Sequence, residues 1–346
     1  MTRSSPKCAA LIGTGMVADM HVAAALATKG AVEITGAFSR TPAHTDAFAK
    51  RHTIGAYPSV DAALEDPKVD FVILTTPPDA RLEYVHRCIE ARRPILMEKP
   101  IERDHARARI IVEACETAAL PLGVLLQHRM RPAAQELQRH LSAGAIGDIA
   151  VVDVRIPWWR DQSYYDVPGR GTYARDGGGV LITQAIHTID LMLQFCGPVS
   201  EVQGFAVTSA LHRMEAEDLA AVGLRFASGA VGVLTASTAH YPGGSETIFL
   251  SGTAGSATLT SNQLKIERHG MAPEDFGSTT GTGGGADPMA FSADWHRAVI
   301  EDFADALRSG RAPLISARSA LPAQSLIDAI LTSARTGAPA QPEASE

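Results

Sequence analysis

Between Lys7 and Gly36 an apolar run, a glycine turn, a helical stretch and a second apolar run follow one another, and few folds accept that order. Cys8–Ile12 reads as a strand, Gly13-Thr14-Gly15-Met16-Val17-Ala18 as the turn, the stretch to about Lys29 as a helix, and Val32–Phe38 as a second strand. A G-x-G-x-x-A string alone is weak evidence, but following a strand and opening a helix it has a physical task. Gly13 permits the tight turn, Gly15 lets the backbone approach a pyrophosphate, and Ala18 lets the helix pack closely on the strand. The helix N-terminus then offers N–H groups and a partial positive charge to the phosphates. Gly13, Thr14, Gly15, Met16 and Val17 are the expected dinucleotide contacts; a glycine turn that holds nothing is the alternative.

Where such a unit ordinarily ends its second strand with an acidic residue for the ribose 2'-OH, this chain has Ser39 and Arg40. A hydroxyl and a guanidinium suit a 2'-phosphate, so NADP is favoured over NAD. If Arg40 instead stacks on the adenine, both cofactors are admitted.

Alternation continues through the helix Ala43–His52, a short strand at Ala56–Tyr57, the helix Ser59–Leu64 and the strand Asp70–Thr75. The helix Ala80–Ala91, the strand Pro94–Met97, the helix Arg103–Ala118 and the strand Leu122–Leu126 complete it. That order predicts an α/β fold with an N-terminal doubly wound Rossmann domain over residues 1–126. Ligands bind such sheets at the carboxyl ends of the strands, where Thr75, Thr76 and Pro77 follow one strand and Glu98 and Lys99 the next.

A chain of 346 residues is long for one core, so a second domain is expected over 127–337, with a disordered tail at 338–346. The stretch Gln127–Gly144 reads as a bridge and helix. The strands Ile149–Ile156, Val199–Val207, Asp218–Phe226, Ala230–Ala239 and Thr247–Ser251 then form a meander. Helices from near Asp294 and over Ser319–Thr336 close this domain, and Gly277–Gly285 reads as a mobile loop over the site. The segment Trp158–Asp166 is too aromatic for an ordinary solvent loop. Trp159, Arg160 and Tyr164 are its candidate substrate wall, with packing inside or between subunits as the alternative. Arg129, Arg160, Arg170 and Arg175 can meet a substrate carboxylate or phosphate.

The formal net charge of -7 argues against a nucleic-acid partner. Cys8, Cys88, Cys115 and Cys196 have no metal-ligand spacing and read as reduced packing residues, so no metal is expected. No apolar run approaches the length of a membrane span and Thr2–Lys7 lacks a leader's apolar stretch, which makes a cytoplasmic location the expectation.

At Glu98-Lys99-Pro100 the sequence resembles the Gfo/Idh/MocA family of oxidoreductases, and the run from Gly177-Gly178-Gly179 to His187-Thr188-Ile189-Asp190 resembles that family's second signature. The resemblance implies a C-terminal α/β domain on an open, largely antiparallel sheet, and homodimers or homotetramers formed by sheets packed face to face. It implies a sugar, sugar derivative or cyclitol as the small-molecule partner, and it puts Lys99 and His187 beside the nicotinamide. Chemistry asks for such a pair, since oxidising an alcohol needs a base within reach of the hydroxyl and an ammonium that stabilises the alkoxide. Asp190 shares a helical face with His187 and can orient it. The chain departs from the family at Thr183, where a carboxylate or amide is usual and where a hydroxyl can still meet substrate, and at Arg81, often a histidine. A reductase of non-sugar carbonyl or unsaturated compounds, or a non-catalytic dinucleotide sensor, is the alternative.

Overall fold

In the computed structural model, residues 5–278 and 292–344 are described. They form two compact units. The first comprises Met1–Glu102, Ala106–Gln127 and Ala293–Ala320, and the second Arg103–His105, His128–Ser292 and Leu321–Glu346.

Six parallel strands make the first unit's sheet: β1 (Lys7–Ile12), β2 (Val32–Phe38), β3 (Gly55–Ala56), β4 (Phe71–Leu74), β5 (Ile95–Met97) and β6 (Leu122–Val124), in the order β3-β2-β1-β4-β5-β6. Strands β4 and β5 are buried at every residue, as unbroken apolar runs must be when helices cover both faces. The register aligns the carboxyl ends, pairing Ile12 with Phe38 and with Leu74, and Leu74 with Met97. The next residue along each strand is therefore Gly13, Ser39, Thr75 or Glu98, and these stand along one rim of the sheet.

The helix Asp294–Ser309, expected to close the second domain, belongs to the first unit. Its buried stripe includes Trp295, Val299, Ile300 and Phe303. The Phe303 ring lies 5.3 Å from that of Phe71, and Gly123 admits it because a Cβ there would come within 2.8 Å of the phenyl ring. Arg308 Nη2 donates to the Ala31 carbonyl at 2.7 Å.

The second unit carries eight strands: β7 (Ile149–Pro157), β8 (Val199–Val207), β9 (Leu219–Phe226), β10 (Val231–Ser237), β11 (Thr247–Gly252), β12 (Gly255–Thr260), β13 (Gln263–Arg268) and β14 (Glu274–Gly277). Their order is β14-β13-β12-β11-β7-β10-β9-β8, antiparallel throughout except for the parallel pair β7 and β10. The sheet is thus open and largely antiparallel, with three strands beyond those expected. Burial alternates strictly along β9, so one face is core and the other exposed.

The expected tail is ordered up to residue 344, because Ala340 exchanges two backbone hydrogen bonds with Val202 and Ser325 Oγ donates to the Glu343 carbonyl at 3.0 Å. It adds a short antiparallel bridge to the edge strand β8. Of the Gly277–Gly285 loop, Gly277 ends β14 and residues 279–285 lie outside the described residues. Among the described residues no helix is long and apolar enough to cross a membrane.

Candidate functional site

Gly13 starts the rim of the first unit with φ +111°, and a Cβ there would lie 2.6 Å from Thr75 Oγ1 and 2.9 Å from the Thr75 carbonyl carbon. The position is closed to any other residue. Thr75 Oγ1 donates to the Gly13 carbonyl at 2.9 Å, tying the two strand ends together. A Cβ on Gly15 would meet nothing within 4 Å, so open space lies beside the turn. The helix Ala18–Ala27 that follows has no side-chain cap; its Ala18 and Met20 N–H groups are taken by the Gly15 and Val17 carbonyls, both at 3.0 Å, while Ala18 is fully buried and Met16 exposed. These residues fit a dinucleotide pyrophosphate.

Ser39 is committed elsewhere. Its Oγ donates to the Thr41 carbonyl at 3.1 Å and lies 3.0 Å from Thr45 Oγ1, which also accepts from the Ser39 N–H. The hydroxyl secures the turn into the helix Pro42–His52, and Arg40 projects exposed.

Glu98 is buried, with His21 Nε2 donating to its Oε1 at 2.9 Å and the Lys99 N–H donating to Oε2 at 3.1 Å, while His296 Nε2 lies 3.9 Å from Oε1. Burial alone would push the Glu98 carboxyl up, but the His21 hydrogen bond and the nearby His296 and Lys99 charges outweigh it and bring it down to about 2. Burial pushes His296 down to about 3, with His21 and Lys99 adding to the shift and Glu98 opposing it.

Below its ordinary 6.5, an unfolded His296 takes up a proton that the folded ring refuses until about 3, so stability falls as pH drops through that window. Glu98 acts in the same direction between its ordinary 4.5 and about 2, where protonation breaks its pairing. Thermal melting followed from neutrality to about pH 4 should therefore fall more steeply in the wild type than in His296→Gln. The comparison cancels contributions shared by both proteins, such as Asp328, whose carboxyl burial pushes up to about 6. Parallel curves would remove His296 from this account.

Arg81, noted in the sequence only as a departure from the family, is the brace of the rim. Its Nε donates to the Thr76 carbonyl at 3.0 Å, and its Nη1 engages the carbonyls of Glu98 and Pro100. Burial draws the guanidinium down to about 10, which leaves it charged at neutral pH. One planar fork thus joins the Thr75-Thr76-Pro77 turn to Glu98-Lys99-Pro100.

In the second unit, the glycine run reverses the chain sharply. Gly177 has φ +86°, and a Cβ on Gly179 would fall 1.7 Å from the Glu217 carbonyl oxygen. The buried Glu217 carboxylate caps the next element by accepting from the N–H groups of Gly179 and Leu181, both at 3.1 Å. That element opens as a π-helical turn, Leu181–Ala185, a form found often at functional sites, and continues as the helix Ile186–Cys196. Thr183 Oγ1 donates to the Gly179 carbonyl at 2.5 Å and also contacts Gln184 Oε1. His187 is buried, its ring stacked on that of His128 at 4.6 Å and 27°.

Asp190 does not orient His187. It takes a bidentate pair from Arg129, Nε to Oδ2 at 2.7 Å and Nη2 to Oδ1 at 2.5 Å, and burial raises its carboxyl against the pull of that guanidinium. Arg129 is correspondingly paired within the second unit through Nε and Nη2.

The aromatic loop packs on itself and reaches the π-turn. Tyr164 Oη accepts from Arg170 Nη1 at 2.5 Å and from Gln184 Nε2 at 3.3 Å, so Arg170, Tyr164, Gln184 and Thr183 form one polar chain ending beside the His187 helix. Arg160 is buried between the rings of Trp158 and Tyr164, at 5.5 and 5.7 Å, and its Nη1 donates to the Trp159 carbonyl at 2.7 Å. Trp159 is half-buried and meets exposed Tyr241 edge-on at 5.3 Å. Lys99 stands in the first unit and His187 in the second. Gln184, His128, Arg131 and Glu246, all buried, were not singled out from the sequence; Gln184 is a polar residue inside an apolar stretch, whereas the other three lie among further polar residues and give no such signal.

Two family models match the chain, and between them they cover more than half of it: "Oxidoreductase family, NAD-binding Rossmann fold" over residues 7–125 and "GFO/IDH/MocA C-terminal domain" over 134–258. The WlbA dehydrogenase of Chromobacterium violaceum, solved with NADH and UDP-GlcNAcA, is 28% identical with a TM-score of 0.84, over 99% of this chain and 97% of that one. Inositol 2-dehydrogenase of Rhizobium meliloti is 27% identical over 338 residues, covering 93% of this chain and 95% of that protein. Oxidoreductase P35 of Formosa agariphila is 25% identical over 197 residues, a match that spans 61% of that protein.

The NADP preference read from Ser39 and Arg40 is corrected by these findings, since the WlbA relative carries NADH. Physically, the Ser39 hydroxyl is spent on Thr41 and Thr45 rather than held out for a phosphate. With a Rossmann unit ending in Glu98-Lys99-Pro100, a second unit built on the glycine run and His187, and both family models matched in order, the chain belongs to the Gfo/Idh/MocA family of oxidoreductases.

Proposed function

We propose that this protein transfers a hydride between NAD(H) and a hydroxyl-bearing carbon of a sugar, sugar derivative or cyclitol. The observation that carries the reading is the shared rim of the first sheet, where Gly13, Thr75 and Glu98-Lys99 stand at the ends of strands held in one register. Inositol, and the nucleotide sugar of the WlbA complex, are the kinds of compound associated with the relatives. Gly13, Thr14, Gly15, Met16 and Val17 hold the pyrophosphate in this reading, Ser39 and Arg40 border the adenosine ribose, and Thr75, Thr76, Pro77 and Glu98 line the approach to the nicotinamide. Bound there, the nicotinamide supplies the hydride acceptor or donor.

The rest is the work of side chains. His187 takes the proton from the substrate hydroxyl in oxidation and returns it in reduction, a task that suits an imidazole because its unperturbed pKa lies near neutrality. The Lys99 ammonium stabilises the developing alkoxide, and its backbone is held by Glu98. Trp159, Arg160, Tyr164 and Thr183 form the substrate wall, since the polar chain through Tyr164 places hydroxyl and amide groups beside the His187 helix.

A homodimer or homotetramer belongs to the same reading. Phe205, Val207, Leu219, Val231 and Val233 are exposed on one face of the second sheet, with Phe205 at 73%, and an apolar patch of that kind is expected to be covered. Sedimentation that finds only monomer counts against it. A cytoplasmic setting is supported by four free cysteines, two of them fully buried.

The test is turnover with a panel of sugars, nucleotide sugars and cyclitols, read by nicotinamide absorbance, together with calorimetric titration of both cofactors. Oxidation of at least one panel member and tighter binding of NAD than of NADP are expected. Binding without turnover on any member would mean a sensor, and tighter NADP would refute the cofactor assignment.

A further inference from the structure

The helix of His187 is met by a buried polar assembly with no part in the steps just described. Arg131, among the most buried side chains of the protein, donates through Nη1 to Glu246 Oε1 at 2.5 Å and to the Ser261 carbonyl at 3.2 Å. Trp158 Nε1 donates to the other oxygen of Glu246 at 3.3 Å. The remaining arm of the guanidinium, Nη2, lies 2.5 Å from Nε2 of His128, the ring stacked on His187.

We propose that Arg131, anchored by Glu246, locks His128 as a neutral imidazole protonated only at Nδ1, and that this uncharged ring is the positioning residue for His187. The inference rests on the catalytic reading of His187.

A guanidinium has donors only, so the nitrogen it faces must present a lone pair. The proton of a neutral His128 therefore sits on Nδ1. Protonating Nε2 would set two donors head to head and place a second cation against Arg131 in a site with little water. Glu246 neutralises Arg131, whose other arm faces His128. Arg129, which follows His128 in sequence, and Asp190, three residues after His187, pair with each other in a bidentate contact. His128 is thus held in one charge state across the range in which His187 must change its own. The stack also fixes the plane of the His187 ring, and an uncharged neighbour leaves its proton affinity unopposed by a second imidazolium.

Histidine 15N NMR on the intact protein, with His128 assigned through His128→Phe, tests the lock without any activity measurement. Expected is an Nδ1–H tautomer that does not titrate between about pH 5 and 8. An Nε2–H tautomer, or an ordinary titration in that range, overturns it. For the positioning role, His128→Ala should lower kcat roughly tenfold or more by freeing the ring it supports. His128→Phe, which keeps a stacked ring, should recover part of that loss.

In an Arg131→Met/Glu246→Leu double variant, chosen because removing Arg131 alone strands a buried carboxylate, His128 becomes free to protonate. The acid limb of log kcat/KM for alcohol oxidation should then steepen from one proton to two. Unchanged kcat in His128→Ala, or an unchanged limb in the double variant, would overturn the positioning role. Wild-type turnover in His187→Ala would instead overturn the catalytic reading and leave the tautomer result standing.

Discussion

Lys99→Met and His187→Ala are each expected to lower turnover by about 10²–10⁴-fold, the usual contribution of a positioned acid or base, with little change in NAD affinity. Cofactor binding should survive because the turn proposed for the pyrophosphate is built from Gly13, Gly15 and a helix N-terminus, and is tied to the neighbouring strand ends by Thr75 Oγ1 and by the Gly13 N–H on the Phe38 carbonyl, without Lys99 or His187. In the proposed mechanism the two groups serve one alkoxide-like transition state, so a double variant should lose less than the product of the single losses. Turnover and NAD affinity measured on all three proteins decide the matter. If Lys99→Met turns over normally, the lysine has no chemical role; if NAD affinity collapses in either single variant, the division between binding and chemistry is wrong.

Arg81→Met is expected to destabilise the first unit by about 3 kcal/mol or more, because each buried carbonyl left without a donor costs about 1–3 kcal/mol and three are involved. Arg81→Lys should recover only part, since an ammonium on a flexible stem cannot serve three fixed acceptors as a planar fork does. NAD affinity should fall with stability, as the strand ends joined by Arg81 both contribute to the rim. A urea titration of the three proteins measures the first effect and calorimetry the second. A midpoint for Arg81→Met equal to that of the wild type would show that water replaces the guanidinium, and the bracing role would be lost.

The first unit was largely legible in the sequence because its signals are local. A glycine turn between a strand and a helix, and unbroken apolar runs such as Phe71–Leu74, announce a parallel sheet covered on both faces. The strands β12, β13 and β14 escaped notice because they are short and half polar; Lys265 and Glu267 on the exposed side of β13 look like an ordinary solvated loop. Nor does alternation carry polarity, so the parallel pairing of β7 with β10 could not be read from it. The helix Asp294–Ser309 shows an amphipathic stripe, but a stripe states that one face is covered, not by which sheet.

Sequence spacing was a poor guide to who partners whom. Asp190 lies three residues after His187, yet its partner is Arg129, from the segment that reads merely as a bridge. Arg131 and Glu246, 115 positions apart, meet only through the fold. Ser39 illustrates the reverse error: the residue type suits a phosphate, while its hydroxyl is absorbed by a neighbouring threonine six residues on.

The placement of that late helix has a consequence for the protein's birth on the ribosome. Residues 1–127 emerge with every strand of the parallel sheet, but Phe303, which covers Phe71, and His296, which lies 3.9 Å from Glu98, are made some 165 residues later. At ordinary translation speed that is a wait on the order of ten seconds. Through that interval the nascent first unit exposes the apolar surface that this helix later covers, so the first half to be started is completed only after most of the second has been made.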